Sequence, residues 1–263
     1  MRMNIPFNRF MHPADAKAIT ALKNVPGFNY LVRKYMEYGG ESLYSGQNLA
    51  NHLKVYEDNF PEVYRVFKET VASLGIEEPE LYVYNDPYIN AYTYGETKTF
   101  IAISSAAVEA LSSEELKGVL AHECGHIVCH HTFYNTLLYS LVEFADSFKG
   151  IPYMLFGPLI LTLQYWSRRS EFSADRCATS IVGVEAYQKV LAKLASGMKS
   201  FKSNGKELLN QAYEYHDIVE DSLWGKIQQN CQMAFQSHPQ LCERAYEVDR
   251  WSKSCLYNQS RLA

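Results

Sequence analysis

Two histidines, His122 and His126, constrain this chain more than any other feature, because they stand four residues apart in the sequence HECGH. On an α-helix this spacing places both imidazoles on nearly the same face, where their nitrogens can reach one metal ion about 2 Å away. Glu123 lies between them, so its carboxylate can approach a water molecule at the metal without itself being a ligand. The alternative is a pair of histidines that only satisfy buried polar groups, since so short a motif also recurs by chance.

The residues around this motif predict a buried helix. Ser112 and Glu115 have the spacing of a capping box, so we expect a helix that begins near Ser113 and runs through His131. Its apolar side chains are Leu116, Val119, Leu120, Ile127 and Val128. A buried helix that brings two histidines and a glutamate together needs a compensating charge, and a divalent cation supplies one.

A catalytic zinc ion needs a third protein ligand and an open fourth position. A third histidine ten residues after His122 is excluded, because that position is Thr132. His131 is nine residues from His122, on the opposite face of the predicted helix, and His130 lies a full turn beyond His126. We assign both of these later histidines to packing or to contacts with the ligands.

Glu171 is the best candidate for the third ligand. It stands four residues before Asp175, so the two carboxylates share one face of a predicted helix. Glu171 can bind the metal while Asp175 accepts the free N–H of a ligating histidine and fixes its tautomer. Spacing alone leaves an exposed charged face open as the alternative, with Arg168 and Arg169 as ion-pair partners.

Short aromatic and β-branched runs predict a small sheet directly before the histidine helix. The three runs are 81–84, 91–94 and 100–103, and the last two are expected to form a hairpin. Helical spacing predicts helices within 13–75, within 133–195 apart from a break at 150–158, and over most of 205–260. We therefore expect a mostly helical α+β fold, with an N-terminal helical region at 1–78 and a second domain at 79–263.

Net charge and cysteine content indicate which binding partners and which cellular location to expect. The formal net charge of −4 lacks the basic footprint that binding to a phosphate backbone needs, so nucleic acid is not an expected partner. The first residues show no apolar core followed by a cleavage site, and the six cysteines form no CxxC pair. We expect reduced thiols and a cytoplasmic location, and the sequence leaves the oligomeric state open.

Residues 150–167 form an uncharged run of 18 residues, the lower limit for a transmembrane helix. If His126 and Glu171 bind one ion, the chain between them must cross a bilayer an even number of times. The other segment available for a crossing carries Glu143 and Asp146, which are costly in lipid. We therefore expect a buried or surface-docked apolar hairpin at 150–167 rather than a pair of spans, and surface docking would make the protein peripheral to a membrane.

Four short sequence elements follow one another along the chain. They are Asn90-Ala-Tyr-Thr93, His122-Glu-Cys-Gly-His126 with His131, Arg168 followed by Glu171-Phe-Ser-Ala-Asp175, and Ser237-His-Pro239 with Arg244. Together they resemble the HtpX, Oma and Ste-type family of gluzincin metallopeptidases. The resemblance implies a zincin-like domain in which the edge strand of the sheet precedes the HExxH helix.

The resemblance also implies a role for each matched residue. One Zn²⁺ per chain would be held by His122, His126 and Glu171, with Asp175 behind the ligands and Glu123 as general base. His238 and Arg244 would lie near the cleft, with His238 taking part in catalysis. The substrate-binding edge would consist of Asn90, Ala91, Tyr92 and Thr93.

The activity implied is that of a zinc-dependent endopeptidase acting on extended or unfolded polypeptides. A peptide would add as a strand to the edge at 90–94 and present a carbonyl to the zinc. The zinc would lower the pKa of a water molecule, and Glu123 would take the proton and pass it to the leaving amine. His238 or a nearby tyrosine could donate to the oxyanion. Two alternatives stay open: a zinc-stabilised module that holds peptides without cutting them, and a latent protease that needs activation.

Overall fold

The part of the chain that the computed structural model describes is mostly helical, with one small sheet. The described residues are 9–28, 30, 34, 40–95, 98–147, 151–198, 200, 204–220, 222–234, 236 and 238–260. The helices are α1 (Pro13–Lys23), α2 (Gly40–Asn51), α3 (Pro61–Leu74), α4 (Ser105–Ala110), α5 (Ser113–Val128), α6 (Thr132–Ser147), α7 (Ile151–Val182), α8 (Val184–Ser196), α9 (Lys206–Glu220), α10 (Leu223–Met233), α11 (Leu241–Ser252) and α12 (Cys255–Ser260). The strands are β1 (Leu53–Lys54), β2 (Glu80–Tyr84), β3 (Ala91–Tyr94) and β4 (Phe100–Ser104). The expected α+β class is confirmed.

The sheet has the strand order β1-β2-β4-β3, which places β3 at one edge. Strand β4 pairs in parallel with β2 and antiparallel with β3, so the predicted hairpin is confirmed. In its register Tyr92 lies opposite Ala102 and Thr93 opposite Ile101. The sequence pattern does not predict β1, because two residues are too few to show a periodicity.

Helices α5 and α7 carry the residues predicted to bind a metal, and they approach each other closely at Gly125. A Cβ atom on this glycine would lie 2.9 Å from Cβ of Cys177 and 3.0 Å from Cα of Ala174, far inside normal carbon contact. The missing side chain therefore lets the two backbones come close enough for their polar residues to meet in one site.

Helix α5 begins as predicted but ends earlier than predicted. The capping box of Ser112 is present. The helix stops at Val128 because His130 adopts the left-handed conformation, with φ of 58°. The expectation that His131 continues the helix and faces away from the ligands is therefore wrong. After the turn, its N–H donates to the carbonyl oxygen of His126 at 2.9 Å.

Helix α7 is continuous where the sequence predicts a break and an apolar hairpin at 150–167. The helix passes through Pro158, while Gly150 lies outside the described residues. Its buried apolar side chains pack against α1 and α6 and include Ile160, Leu163 and Trp166. Burial of such side chains stabilises by about 1.5–3 kcal/mol each, which outweighs the roughly 3 kcal/mol cost of one internal proline. Among the described residues, no helix combines the length and the apolar character needed to cross a membrane.

The first residues of the described chain pack into the rest of the molecule. Phe10 is buried in the main core with side chains of α3, β2 and α5. Ala18 and Leu22 of α1 belong to a second apolar cluster with α6 and α7. Contacts thus cross the boundary expected near residue 78, and the division into 1–78 and 79–263 stays a prediction.

Candidate metal centre

The side chains of His122, His126 and Glu171 meet in one buried cluster. The Nε2 atoms of the two histidines are 3.3 Å apart. Nε2 of His122 lies 3.3 Å from Oε2 of Glu171, and Nε2 of His126 lies 3.3 Å from Oε1. All three residues are buried and can offer one ligand atom each to a common ion. The sequence-predicted triad therefore comes together in space.

The distances within this cluster are compatible with a metal ion. Two ligand atoms at roughly 2.0–2.1 Å from a tetrahedral ion lie about 3.3 Å apart. This is the distance between the two Nε2 atoms and from each Nε2 to one of the two carboxylate oxygens of Glu171. Among the described residues, the buried Oε2 of Glu171 has an ion-pair contact with Arg244 but accepts no aligned hydrogen bond. Two unprotonated Nε2 atoms, on His122 and His126, cannot satisfy each other either. Two imidazoles and a carboxylate are a donor set that suits a divalent metal.

Asp175 and Arg244 lie behind the triad and contact His122 and Glu171. Oδ1 of Asp175 is 3.0 Å from Nδ1 of His122. Arg244 donates to both carboxylate oxygens of Asp175, at 3.0 and 2.6 Å, and its Nη1 lies 3.2 Å from Oε2 of Glu171. Burial raises the pKa of the Asp175 carboxyl, but Arg244 and His122 outweigh burial and lower it. An ionised Asp175 accepts the Nδ1–H of His122, so Nε2 is the atom at which the neutral imidazole offers its lone pair toward the triad.

The charge state of Glu171 is set by its neighbours in the same way. Burial raises the pKa of its carboxyl, but His238, His122 and Arg244 hold the pKa well below its ordinary value. Glu171 is therefore a carboxylate that can serve as an anionic ligand.

Tyr187, on α8, completes this cluster and is missed by the sequence analysis. Its hydroxyl donates to Oδ1 of Asp175 at 2.6 Å and lies 3.0 Å from Nδ1 of His122. Its pKa is raised well above the ordinary value, chiefly by burial and then by Asp175, so the group stays a donor. With 20 tyrosines in the chain and no helical spacing linking it to Asp175, no local signal distinguishes Tyr187.

A second group of buried polar side chains lies behind His126. Nδ1 of His126 is 3.0 Å from Nδ1 of His131, and Nε2 of His131 is 2.9 Å from Oδ2 of Asp15 on α1. Asp15 also accepts hydrogen bonds from Ser173 at 2.6 Å and Trp166 at 3.1 Å. Asp15 lies more than a hundred residues from its partners in the chain, so the sequence pattern does not indicate it.

Glu123 faces the cleft beside the triad without belonging to it. Its side chain is buried, and Oε2 accepts a hydrogen bond of 2.6 Å from the hydroxyl of Thr93. Thr93 stands on the edge strand β3, so the strand predicted to bind substrate also holds the predicted general base in place.

The cleft over the triad consists of two hollows that share His122, Glu123, Glu171 and His238. The first hollow is more polar and aromatic and is also lined by Tyr92, Tyr94, Asn135, Tyr139 and Ser167. The second is more apolar and is also lined by Ile89, Val119, Val190 and Leu194. Asn90 and Ala91 border both hollows, so the predicted substrate edge does line the cleft.

His238 reaches the cleft from the segment before α11. Its side chain is 55% exposed, and Nε2 lies 3.7 Å from Oε1 of Glu171. Arg168 on α7 anchors the preceding segment by donating to the carbonyl oxygen of Gln236 at 2.6 Å. Ser237, part of the predicted Ser-His-Pro element, lies outside the described residues.

Comparison with known proteins decides the family. The model of peptidase family M48 matches residues 57–252. The chain belongs to peptidase family M48. Its relatives include the plastoglobule-localized metallopeptidase 48, chloroplastic, of Arabidopsis thaliana, with 32% identity over 253 residues, or 94% of this chain and 73% of the relative.

Two bacterial proteases named HtpX are also similar to this M48 peptidase. The protein of Tolumonas auensis is 28% identical over 188 residues, covering 56% of this chain and 65% of its own length. The protein of Idiomarina loihiensis is 25% identical over 217 residues, covering 72% and 71%. The resemblance drawn from the motifs is confirmed, and the protein is a metalloprotease. The family match begins at residue 57, so Asp15 lies outside it.

Proposed function

We propose that this M48 peptidase binds one zinc ion through His122, His126 and Glu171 and hydrolyses peptide bonds of extended or unfolded polypeptides. The observation that carries the proposal is the position of Glu123, whose carboxylate faces the same cleft as the triad while staying outside it. A carboxylate so placed can act as general base rather than as a fourth ligand.

Zinc, when bound, polarises a carbonyl oxygen and makes a water molecule easier to deprotonate. Glu123 then accepts the proton of the attacking water and delivers it to the leaving amine. The hydrogen bond from Thr93 holds one carboxylate oxygen of Glu123, Oε2, in place beside the cleft. Arg244 and Tyr187 hold Asp175, which accepts the Nδ1–H of His122, so the neutral ring presents its Nε2 lone pair to the metal.

The substrate is proposed to extend the sheet at β3. Its inner side pairs with β4, and β3 is the last strand in the sheet order. A polypeptide in extended conformation would pair with the outer side, with Asn90, Ala91, Tyr92 and Thr93 as the binding edge. The two hollows would then receive side chains on either side of the cleaved bond.

His238 is proposed to donate a hydrogen bond to the oxyanion that forms during attack. Its exposed ring lies at the mouth of the cleft, 3.7 Å from Glu171, where a substrate carbonyl would enter. Arg244 is buried against Asp175 and Glu171, so we assign it to holding these carboxylates and not to contact with substrate.

The substitution Glu123→Gln tests the mechanism. We expect the variant to retain one zinc per chain by metal analysis and to lose roughly 10²–10⁴-fold in the rate of casein cleavage. The matched control is Glu114→Gln, which changes an exposed glutamate of the same helix and should cleave normally. Full turnover by Glu123→Gln would refute the mechanism, and a wild type that retains zinc and peptide without producing fragments would favour the binding module.

The location in the cell is also a proposal. A cytoplasmic location, peripheral to a membrane through 150–167, is what the sequence predicts, whereas the Arabidopsis relative is named for chloroplast plastoglobules. Within that segment Leu161 and Tyr165 are exposed, while Leu163 and Trp166 face the protein. A membrane contact would therefore use the first pair, and replacing both by serine should abolish flotation with lipid vesicles.

A further inference from the structure

We propose that Asp15, on the N-terminal helix α1, is a positioning residue of the metal centre that acts on the ligand His126 through His131. The inference rests on the metal site of the proposed function, because it concerns how one ligand of that site is prepared. Asp15 and His131 are 1% and 2% exposed, so both are fixed inside the protein.

The hydrogen bonds of Asp15 determine where the protons of the two histidines lie. A carboxylate only accepts hydrogen bonds, so the Nε2 of His131, at 2.9 Å, must carry a proton. Neutral His131 then has a lone pair on Nδ1, which accepts the Nδ1–H of His126 at 3.0 Å. His126 is left with an unprotonated Nε2, the atom that faces the triad.

The opposite tautomer would close the site. If His131 carried its proton on Nδ1, His126 would have to accept at Nδ1 and hold its own proton on Nε2. That proton would occupy the position of the metal bond. Asp15 disfavours this arrangement, because its oxygen would then face the Nε2 lone pair of His131.

The two ligating histidines are thus prepared in parallel ways by different parts of the chain. His122 donates directly to Asp175, which lies on α7. Nδ1 of His126 instead contacts His131, so its hydrogen bond reaches the carboxylate of Asp15 through one intervening imidazole. Partners behind the ligands typically change metal affinity by roughly 10–100-fold.

The backbone at the end of α5 is shaped to allow this contact. His130 is the one residue other than glycine with positive φ in the described part of the chain, at 58°. A left-handed residue with a Cβ atom costs about 1–2 kcal/mol. This conformation ends the helix and returns His131 beneath His126, where continued helix would carry it away.

The test compares zinc affinity between variants of the chain with residues 1–263 all present. Asp15→Asn keeps the shape of the side chain but can present an amide donor to His131, which permits the wrong tautomer. We expect its zinc affinity to fall roughly 10–100-fold in competition with a chromophoric chelator. The matched control is Ser173→Ala, which removes another donor to the same carboxylate oxygen and leaves the bond to His131 intact. Its affinity should stay within about threefold of the wild type.

A second measurement on the wild type does not depend on any variant folding. Two-bond ¹H–¹⁵N spectra of the zinc-loaded protein should show His131 protonated on Nε2 and His126 on Nδ1. A proton on Nδ1 of His131, or wild-type zinc affinity in Asp15→Asn, would overturn the inference. If the wild type binds zinc and cleaves casein in either case, the proposed function stands. A wild type that binds no zinc would contradict both the inference about Asp15 and the proposed function.

Discussion

Replacing Gly125 by alanine should force apart the two helices that carry the proposed metal ligands. The new Cβ would meet Cβ of Cys177 at 2.9 Å and Cα of Ala174 at 3.0 Å. Neither atom is the end of a flexible side chain, so the contact can be relieved only if the backbone of α7 moves. Glu171 lies on α7, one helical turn before Ala174, and would move with it. We therefore expect both stability and metal affinity to fall.

The expected loss in free energy of unfolding is best estimated by comparison with a second glycine of the same helix, Gly118. An added Cβ on Gly118 would come within 3.2 Å of Cγ2 of Val190, a methyl group that can rotate away. Alanine in place of a helical glycine gains about 0.8–1 kcal/mol at either position, so this gain cancels between the two variants. Overpacking of a tight contact costs about 1–3 kcal/mol. Gly125→Ala should therefore be less stable than Gly118→Ala by about 1–3 kcal/mol.

Urea unfolding followed by circular dichroism measures this difference on the metal-free proteins, where a common m-value allows direct comparison of midpoints. Zinc competition with a chelator measures the displacement of Glu171. If Gly125→Ala matches Gly118→Ala in stability and the wild type in zinc affinity, the close approach of α5 and α7 does not position the ligands.

Three further outcomes are expected. Thr93→Val should lower kcat roughly 10–100-fold with zinc content unchanged, because a hydrogen bond to the charged Glu123 contributes about 1.5–3 kcal/mol, and Thr93→Ser should restore it. Burial raises the pKa of Glu115, but hydrogen bonds from Lys193 and the Ser112 N–H lower it overall, so its contribution to stability is present above the unfolded value and disappears on acidification. The free energy of unfolding should accordingly fall more between about pH 7 and pH 3.5 in the wild type than in Glu115→Gln. Chelation should abolish casein cleavage and lower the thermal midpoint, and added zinc should restore both; activity that survives complete metal removal would contradict the proposal.

Helical periodicity indicates that His122 and His126, and likewise Glu171 and Asp175, share a helix face, and the family resemblance is what joins the two pairs in one proposed metal site. The hairpin of β3 and β4 could be predicted from the aromatic and β-branched runs at 91–94 and 100–103. In these places the informative partners are neighbours in sequence, and local geometry already determines which way they point.

The features that the sequence does not predict depend on tertiary packing or on an unusual backbone conformation. Tyr187 and Asp15 join the centre through tertiary packing over long sequence separations, which no spacing rule contains. The early end of α5 depends on the left-handed conformation of His130, and histidine carries no strong signal for it. The continuity of α7 through Pro158 arises because packing against α1 and α6 outweighs the local preference of a proline.

Asp15 has a practical consequence for anyone who isolates the catalytic unit. The family match covers residues 57–252, so a fragment cut to these bounds would contain everything that the family model matches. Such a fragment would lack helix α1, and with it the carboxylate beneath His131 and the Phe10 side chain in the main core. We expect it to bind zinc weakly even with every ligand present, so its low activity would reflect where the chain was cut and would wrongly suggest a latent enzyme.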